Sequence, residues 1–401
     1  MRAASVTVIG IALVCASPVS FAQSAADADI AALRAQVESL MARLDALERS
    51  QGGSAQVVDQ PIEPVAQQPS SWASTVRVRG DVRYRHESIT GDGIRDRHRQ
   101  RIRARLGAIA QPADNVEVGF GLTTGGANPI SGNQTLGGGF SRKDITLDYA
   151  YFDWRLSDTL TLRGGKIRNP FFRPANHHLI NDSDLNPEGL AMSYSSGGFF
   201  ANLGGFFVEE RSSSDNTLLF AAQAGFRRDL SGGARLTAGA SYYGYDEVRG
   251  REPFFFEHGN LLDASGRYVN DFTEVELFGQ LDFELAGQPM RVFMDYVTNR
   301  DADQFNDGYA FGIFYRDASG PGNWDIGYTY QDLEADAVIG TFSDSDWAGG
   351  GSDAKGHTFL ASYVLNGGWN LGLRYIVNDR DLASGRPRDY NRLIADISFG
   401  F

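Results

Sequence analysis

The stretch Val76–Ala110 constrains the fold more than any other. Val76, Val78, Val82 and Tyr84 alternate with Arg77, Arg79, Asp81, Arg83 and Arg85. After a short break, Ile102, Ala104, Leu106 and Ala108 alternate with Arg97, Arg99, Arg101, Arg103 and Arg105. Side chains alternate faces along a β-strand, so this hairpin has one apolar face and one ladder of guanidiniums. A soluble protein turns such a charged face to water. A wide membrane barrel reverses the arrangement, apolar side outward to lipid and polar side inward to a wet lumen. The rest of the chain decides between the two.

The pattern continues strand after strand. Outward candidates run from Val116, Val118, Phe120 and Leu122, through Ile145, Leu147, Tyr149 and Tyr151, to Leu393, Ala395, Ile397, Phe399 and Phe401. The count is about 16 strands, an even number as expected of bacterial outer-membrane barrels. If the N-terminus is periplasmic, every even-numbered connection should be short. Gln111–Asn115, Ser157–Asp158, Ser195–Gly198, Asp229–Gly233, Leu285–Pro289, Ala318–Asn323 and Asn366–Gly368 all are. The long connections Thr124–Asp144, Arg168–Gly189, Asp246–Asp271 and Glu334–Lys355 all fall at odd positions. The sequence therefore predicts an all-β fold, a transmembrane antiparallel β-barrel over residues 75–401. Phe399 and Phe401 on its closing strand fit an apolar, aromatic insertion signal.

Ahead of the barrel come three segments. Arg2, the apolar run Val6–Ala16 and Ser20-Phe21-Ala22 read as a secretory signal peptide over 1–22. The one cysteine, Cys15, falls inside it, and Val14 before it argues against a lipoprotein site. Ile30, Leu33, Val37, Leu40, Leu44 and Leu47 keep heptad spacing, a short α-helical coiled coil over 23–49. Residues 50–74, with Pro61, Pro64 and Pro69, read as a linker.

The formal net charge of −13 excludes a general nucleic-acid surface. Nearly all basic residues are Arg, the lysines being Lys143, Lys166 and Lys355. A guanidinium keeps its charge and binds carboxylate or phosphate bidentately. The runs Arg79-Gly80-Asp81-Val82-Arg83-Tyr84-Arg85, Gly165-Lys166-Ile167-Arg168-Asn169-Pro170-Phe171 and Pro187-Glu188-Gly189-Leu190-Ala191 carry a resemblance. With the signal peptide, coiled coil and linker, the chain resembles a bacterial family described as putative porins. The resemblance implies an outer-membrane channel of a Gram-negative bacterium. It further implies a homotrimer in lipid that passes small hydrophilic solutes and ions, with its N-terminal segment in the periplasm.

On this reading Arg77, Arg79, Arg83, Arg85, Arg97, Arg99, Arg101, Arg103 and Arg105 are the basic pore lining. Glu274, Glu276, Asp282 and Glu284 lie on the tenth strand, which faces the second across a sixteen-strand ring, and form an acidic lining. The third external loop, with Asp182, Asp184 and Glu188, is expected to fold inward as a constriction. The arginine ladder also admits an anion-selective channel for phosphate-type or carboxylate solutes, and the coiled coil admits a structural tether. Asp182–Gly189 lacks the glycine and distal glutamate of a calcium loop. The adjacent His177 and His178 have no spaced partner of a metal motif. No catalytic constellation is legible, so no catalytic residue, metal or cofactor is expected.

Overall fold

The computed structural model describes residues 75–256 and 258–401. The signal-peptide, coiled-coil and linker segments lie outside the described residues. Sixteen wall strands follow in chain order. The first five are β1 (Arg77–Gly91), β2 (Arg97–Ala113), β3 (Val116–Thr124), β4 (Ile145–Arg155) and β5 (Leu160–Lys166). Then come β6 (Glu188–Ser196), β7 (Phe199–Glu209), β8 (Thr217–Asp229), β9 (Arg235–Tyr245), β10 (Phe272–Leu285) and β11 (Gln288–Asn299). The last five are β12 (Asp307–Arg316), β13 (Trp324–Leu333), β14 (Ala354–Val364), β15 (Trp369–Arg380) and β16 (Arg388–Gly400).

Each strand pairs antiparallel with the next, and β16 pairs with β1 from Asp81↔Gly400 to Gly91↔Tyr390, so the sheet closes on itself. Closure removes the free edges that an open sheet would expose. All sixteen alternating segments of the sequence are strands. A two-residue strand, Gln134–Thr135, returns from the loop after β3 and pairs with Arg101 and Ile102 of β2.

The outer face is apolar. Leu203, Leu277, Met294 and Leu373 are each at least half exposed, and their cross-strand partners Met192, Ala240, Phe311 and Ala361 are apolar too. That is the surface of a barrel in lipid rather than in water. The closing seam is aromatic: the Phe399 ring lies 5.1 Å from Trp369 and 6.2 Å from Phe401. Gly80 and Phe401 exchange two backbone hydrogen bonds, each 3.0 Å. A Cβ on Gly80 would strike the Phe401 ring, so the seam needs glycine there.

One strand departs from its expected facing. A bulge at Asp148 sets Gly121 opposite Tyr149 and Leu122 opposite Leu147. An extra residue flips everything beyond it. Ile145 and Leu147 point outward as expected, but Tyr149 and Tyr151 point inward, and Phe152 and Trp154 take the outer face. The Tyr149 ring lies over Gly121 and the Tyr151 ring over Gly119, filling space the glycines leave.

The interior is not simply wet. Loop 3 (residues 167–187), loop 5 (246–271) and loop 7 (334–353) all enter the barrel. Ile167, Phe171, Leu179, Val248, Tyr268, Val338, Ile339 and Phe342 from these loops pack on Phe206, Tyr243, Phe272, Val297 and Leu333 of the wall. This apolar core sits inside the loop-bearing end of the barrel.

Candidate functional site

The ladder arginines stand on the face opposite Val78, Val82 and Tyr84, as the alternation requires. Most are matched to carboxylates. Glu87 of β1, fully buried, takes Arg99, Arg101 at 3.3 Å and Arg392 of β16 at 2.8 Å. Asp81 takes Arg103 at 3.0 Å and Arg105 at 2.6 Å. Arg85 forks onto Asp396 with bonds of 2.7 and 2.8 Å. Arg77 sits 3.6 Å from Glu117, Arg97 is exposed, and Arg79 opens onto a cavity. Arg83 differs: its Nη2 donates to Asn133 at 2.7 Å, and among the described residues it pairs with no carboxylate.

The other end of the Arg85 fork meets loop 7. Its Nη1 donates to both Asp346 oxygens, at 2.8 and 3.1 Å. Arg392 reaches the same carboxylate at 2.9 Å and Arg374 of β15 at 3.6 Å. Burial alone would raise the Asp346 carboxyl, but the guanidiniums of Arg392, Arg85 and Arg374 hold it well below the ordinary value. Loop 7 was not singled out by the sequence. Its Asp344-Ser345-Asp346 run looks like any acidic turn until the fold sets it against three arginines.

Loop 3 crosses the interior and touches the wall on opposite sides. Phe172 N–H donates to Gln223 of β8 at 2.7 Å, Ala175 N–H to Gln280 of β10 at 2.6 Å, and the His177 ring bonds Gln331 of β13 at 2.8 Å. Across from these, Asp184 stands 3.4 Å from Arg105 and 3.6 Å from Arg103 on β2. Loops 3 and 7 are also joined directly. Asp182 N–H donates to Phe342 O at 2.8 Å, and Ser345 N–H donates to Asp182 Oδ2 at 2.9 Å. Burial, reinforced by the charges of Asp344 and Asp184, pushes the Asp182 carboxyl up to about 8. Burial pushes His177 and His178 down to about 4, so both rings are neutral at pH 7. Glu188 stands apart from the inserted loop: it begins β6, is exposed, and pairs with Lys166 at 2.9 Å.

His178, Asp182 and Asp344 place one ligand atom each within 4.8 Å of one another. The set suits a clasp better than a metal. Both Asp182 oxygens already accept backbone N–H groups, from Asp184 and Ser345, and the Arg374 guanidinium lies 4.0 Å from Asp344.

The four acidic residues of β10 divide into two pairs. Glu274 and Glu276 are sealed from solvent: Glu274 accepts Ile339 N–H of loop 7 at 3.1 Å, and Glu276 accepts the Ser241 hydroxyl. They line no open space. Asp282 and Glu284 do, on a cavity of 580 Å³ that also holds Arg235, Arg291, Arg316, Asp317 and Asp325. On the β1–β2 side, two cavities of 380 and 420 Å³ share Asp81 and Arg105. Together these two are lined by seven guanidiniums (Arg79, Arg83, Arg103, Arg105, Arg168, Arg173 and Arg374) against four carboxylates (Asp81, Asp148, Asp184 and Asp396).

A family described as Putative porin matches residues 90–265 and 302–401, most of the barrel. The chain belongs to that family. Among solved structures, a triple mutant of Rhodopseudomonas blastica porin superposes with a TM-score of 0.50 at 13% identity, over 81% of this chain and 100% of that one. A double mutant of the same porin gives 0.50 at 14% identity with the same coverage. No curated protein matches the chain. At such identity the structural likeness speaks for the barrel alone. The porin family and the porin fold together make this an outer-membrane channel protein of Gram-negative bacteria. Among the described residues no helix is long and apolar enough to cross a membrane, and the strands do the crossing.

Proposed function

We propose that this porin-family barrel is a passive diffusion channel for small hydrophilic solutes and ions, biased towards anions. It works without a cofactor or catalytic step, as a homotrimer whose N-terminal segment is periplasmic. The observation that carries the bias is the unequal lining of the interior. The cavities beside Asp81 and Arg105 hold seven guanidiniums and four carboxylates, whereas the cavity on the β10–β13 side holds three guanidiniums and four carboxylates. A narrow aqueous path between low-dielectric walls concentrates ions of the sign opposite to its lining. Arg83, with no carboxylate within 4 Å among the described residues, and the partly compensated Arg103 are the charges best placed to act on a passing anion.

The test is the zero-current potential across a planar bilayer in a KCl gradient. Replacing Arg83 and Arg103 with Gln should move it towards cation selectivity. The shift should shrink as salt rises, because the screening length falls from about 10 Å at 0.1 M to about 3 Å at 1 M. An unmoved potential at low salt would show that these arginines do not line the conducting path.

A further inference from the structure

We propose that Asp346 is the positioning residue of the constriction: it fastens loop 7 to the arginine wall and, through loop 7, sets where loop 3 stands on that side. The inference rests on the channel reading but not on its anion bias. Three observations lead to it.

First, Asp346 is the point where loop 7 grips the wall. Arg85 and Arg392 bind its two oxygens at 2.8 and 2.9 Å, with Arg374 at 3.6 Å. Arg392 also donates to the Ser345 and Asp346 carbonyls at 3.3 and 3.1 Å, so one side chain holds both the backbone and the carboxylate of the turn. The two closest guanidiniums are themselves immobilised from behind, Arg85 by Asp396 and Arg392 by Glu87. An anchor of this kind has little freedom, since each charged group is held from two directions.

Second, loop 3 is tied to the neighbouring residue of that turn. Ser345 N–H donates to Asp182 Oδ2 and Asp182 N–H donates to Phe342 O. The path from wall to loop 3 is therefore Arg85, Asp346, Ser345, Asp182, with one covalent step between the two contacts.

Third, the direct hold of loop 3 on this wall is weaker than the indirect one. Asp184 approaches Arg103 and Arg105 only to 3.6 and 3.4 Å, and Arg105 is partly exposed. Without Asp346, loop 3 would stay anchored on the β8, β10 and β13 side and, at its end, by Asn186 on Asp148 of β4 at 2.8 and 3.1 Å, while the stretch around Asp182 lost its brace.

The experiment compares purified full-length protein with Asp346→Asn, Asp182→Asn and the double variant. Hydrogen exchange and single-channel recording are the readouts. In Asp346→Asn, protection should fall at residues 341–347 and also at 178–184, which Asp346 itself does not touch. Open-channel current noise should rise, and adding Asp182→Asn should change neither readout further, because groups in one chain of contacts are not additive. Retained protection at 178–184 in Asp346→Asn overturns the proposal, as does an additive double variant. A purely electrostatic role would shift the zero-current potential and leave noise and exchange unchanged. If Asp346→Asn does not fold, Asp346→Glu serves in its place. It keeps the charge but lengthens the arm, so conductance should change while the zero-current potential does not. Unchanged conductance there overturns the positioning role and leaves the anion bias untouched.

Discussion

On the side of β1, β15 and β16 loop 7 is held by charge, and on the side of β8, β10 and β13 loop 3 is held by neutral amides. The first side gathers Arg85, Arg374 and Arg392 around the one carboxylate of Asp346. The second uses Gln223, Gln280 and Gln331. Gln223 shows what an amide offers that a carboxylate does not. Its Oε1 accepts Phe172 N–H at 2.7 Å while its Nε2 donates to Phe172 O at 2.9 Å, so the side chain imitates a neighbouring strand. A glutamine can dock extended backbone with no charge to compensate. An aspartate docks guanidiniums strongly, but each member of the cluster is then stranded if another is lost. The two fastenings should therefore fail differently.

The largest difference should come from Glu87→Gln. Glu87 is fully buried beneath Arg99, Arg101 and Arg392. Breaking a buried ion pair by removing one partner costs about 3–5 kcal/mol, because the remaining charges lose their compensation. The urea midpoint for unfolding from detergent or lipid should drop accordingly. A midpoint within experimental error of the parent would mean that water reaches these arginines and that the side is not held by charge.

A smaller loss is expected on the amide side. Gln223→Leu removes both bonds to Phe172 and the bond to Ser241. Leaving buried backbone groups unpaired costs about 1–3 kcal/mol. Hydrogen exchange should accelerate around residues 170–176 with residues 341–347 unaffected. Acceleration at both places would mean that the two fastenings are not separate.

The smallest effect, and the one that best separates the two chemistries, is that of pH. Asp182 has a folded value of about 8, raised by burial first and then by the charges of Asp344 and Asp184. A raised carboxyl contributes stability that is fully present below its ordinary value, is lost as pH climbs towards its folded value, and changes no further above it. His177 and His178, held near 4, stay neutral across this range and do not offset it. From pH 7 to about 8 the loop 3–loop 7 contact should loosen, visible as rising intrinsic-rate-corrected exchange at 178–184, and from there to pH 9 the corrected exchange should level off. The amide-held residues 170–176 should not respond, and Asp182→Asn should abolish the effect. A pH response that survives in that variant would assign it to another group.

How much of this was legible in the chain depended on which period carried it. Wall strands write themselves with a period of two, and every one from Val78 to Phe399 can be read. The facing of Tyr149 and Tyr151 could not be, because one bulged residue, Asp148, resets the phase without any mark in the composition. The interior core was hidden for a different reason. Its residues sit beside lipid-facing neighbours in apolar pairs, Phe206–Phe207, Leu218–Leu219 and Tyr242–Tyr243, where strict alternation fails. Such pairs are the signal that both faces of a strand are covered. The inward face of the ladder was legible from alternation, but its neutralisation was not. Asp346 is 261 residues from Arg85 in sequence, and nothing local links them.

The seam between β1 and β16 has a consequence for how such a molecule is made. Arg85 and Asp396 meet there across 311 residues of chain. Forming so long a loop adds little entropy cost over a loop of half the length, about 0.6 kcal/mol per doubling. The difficulty is one of timing. Until β1 and β16 pair, the sheet keeps two raw edges, and each can accept a stray strand. The pair Arg85–Asp396 can form only when β1 and β16 meet, so the last contact to be made is also one that fixes the guanidinium holding loop 7.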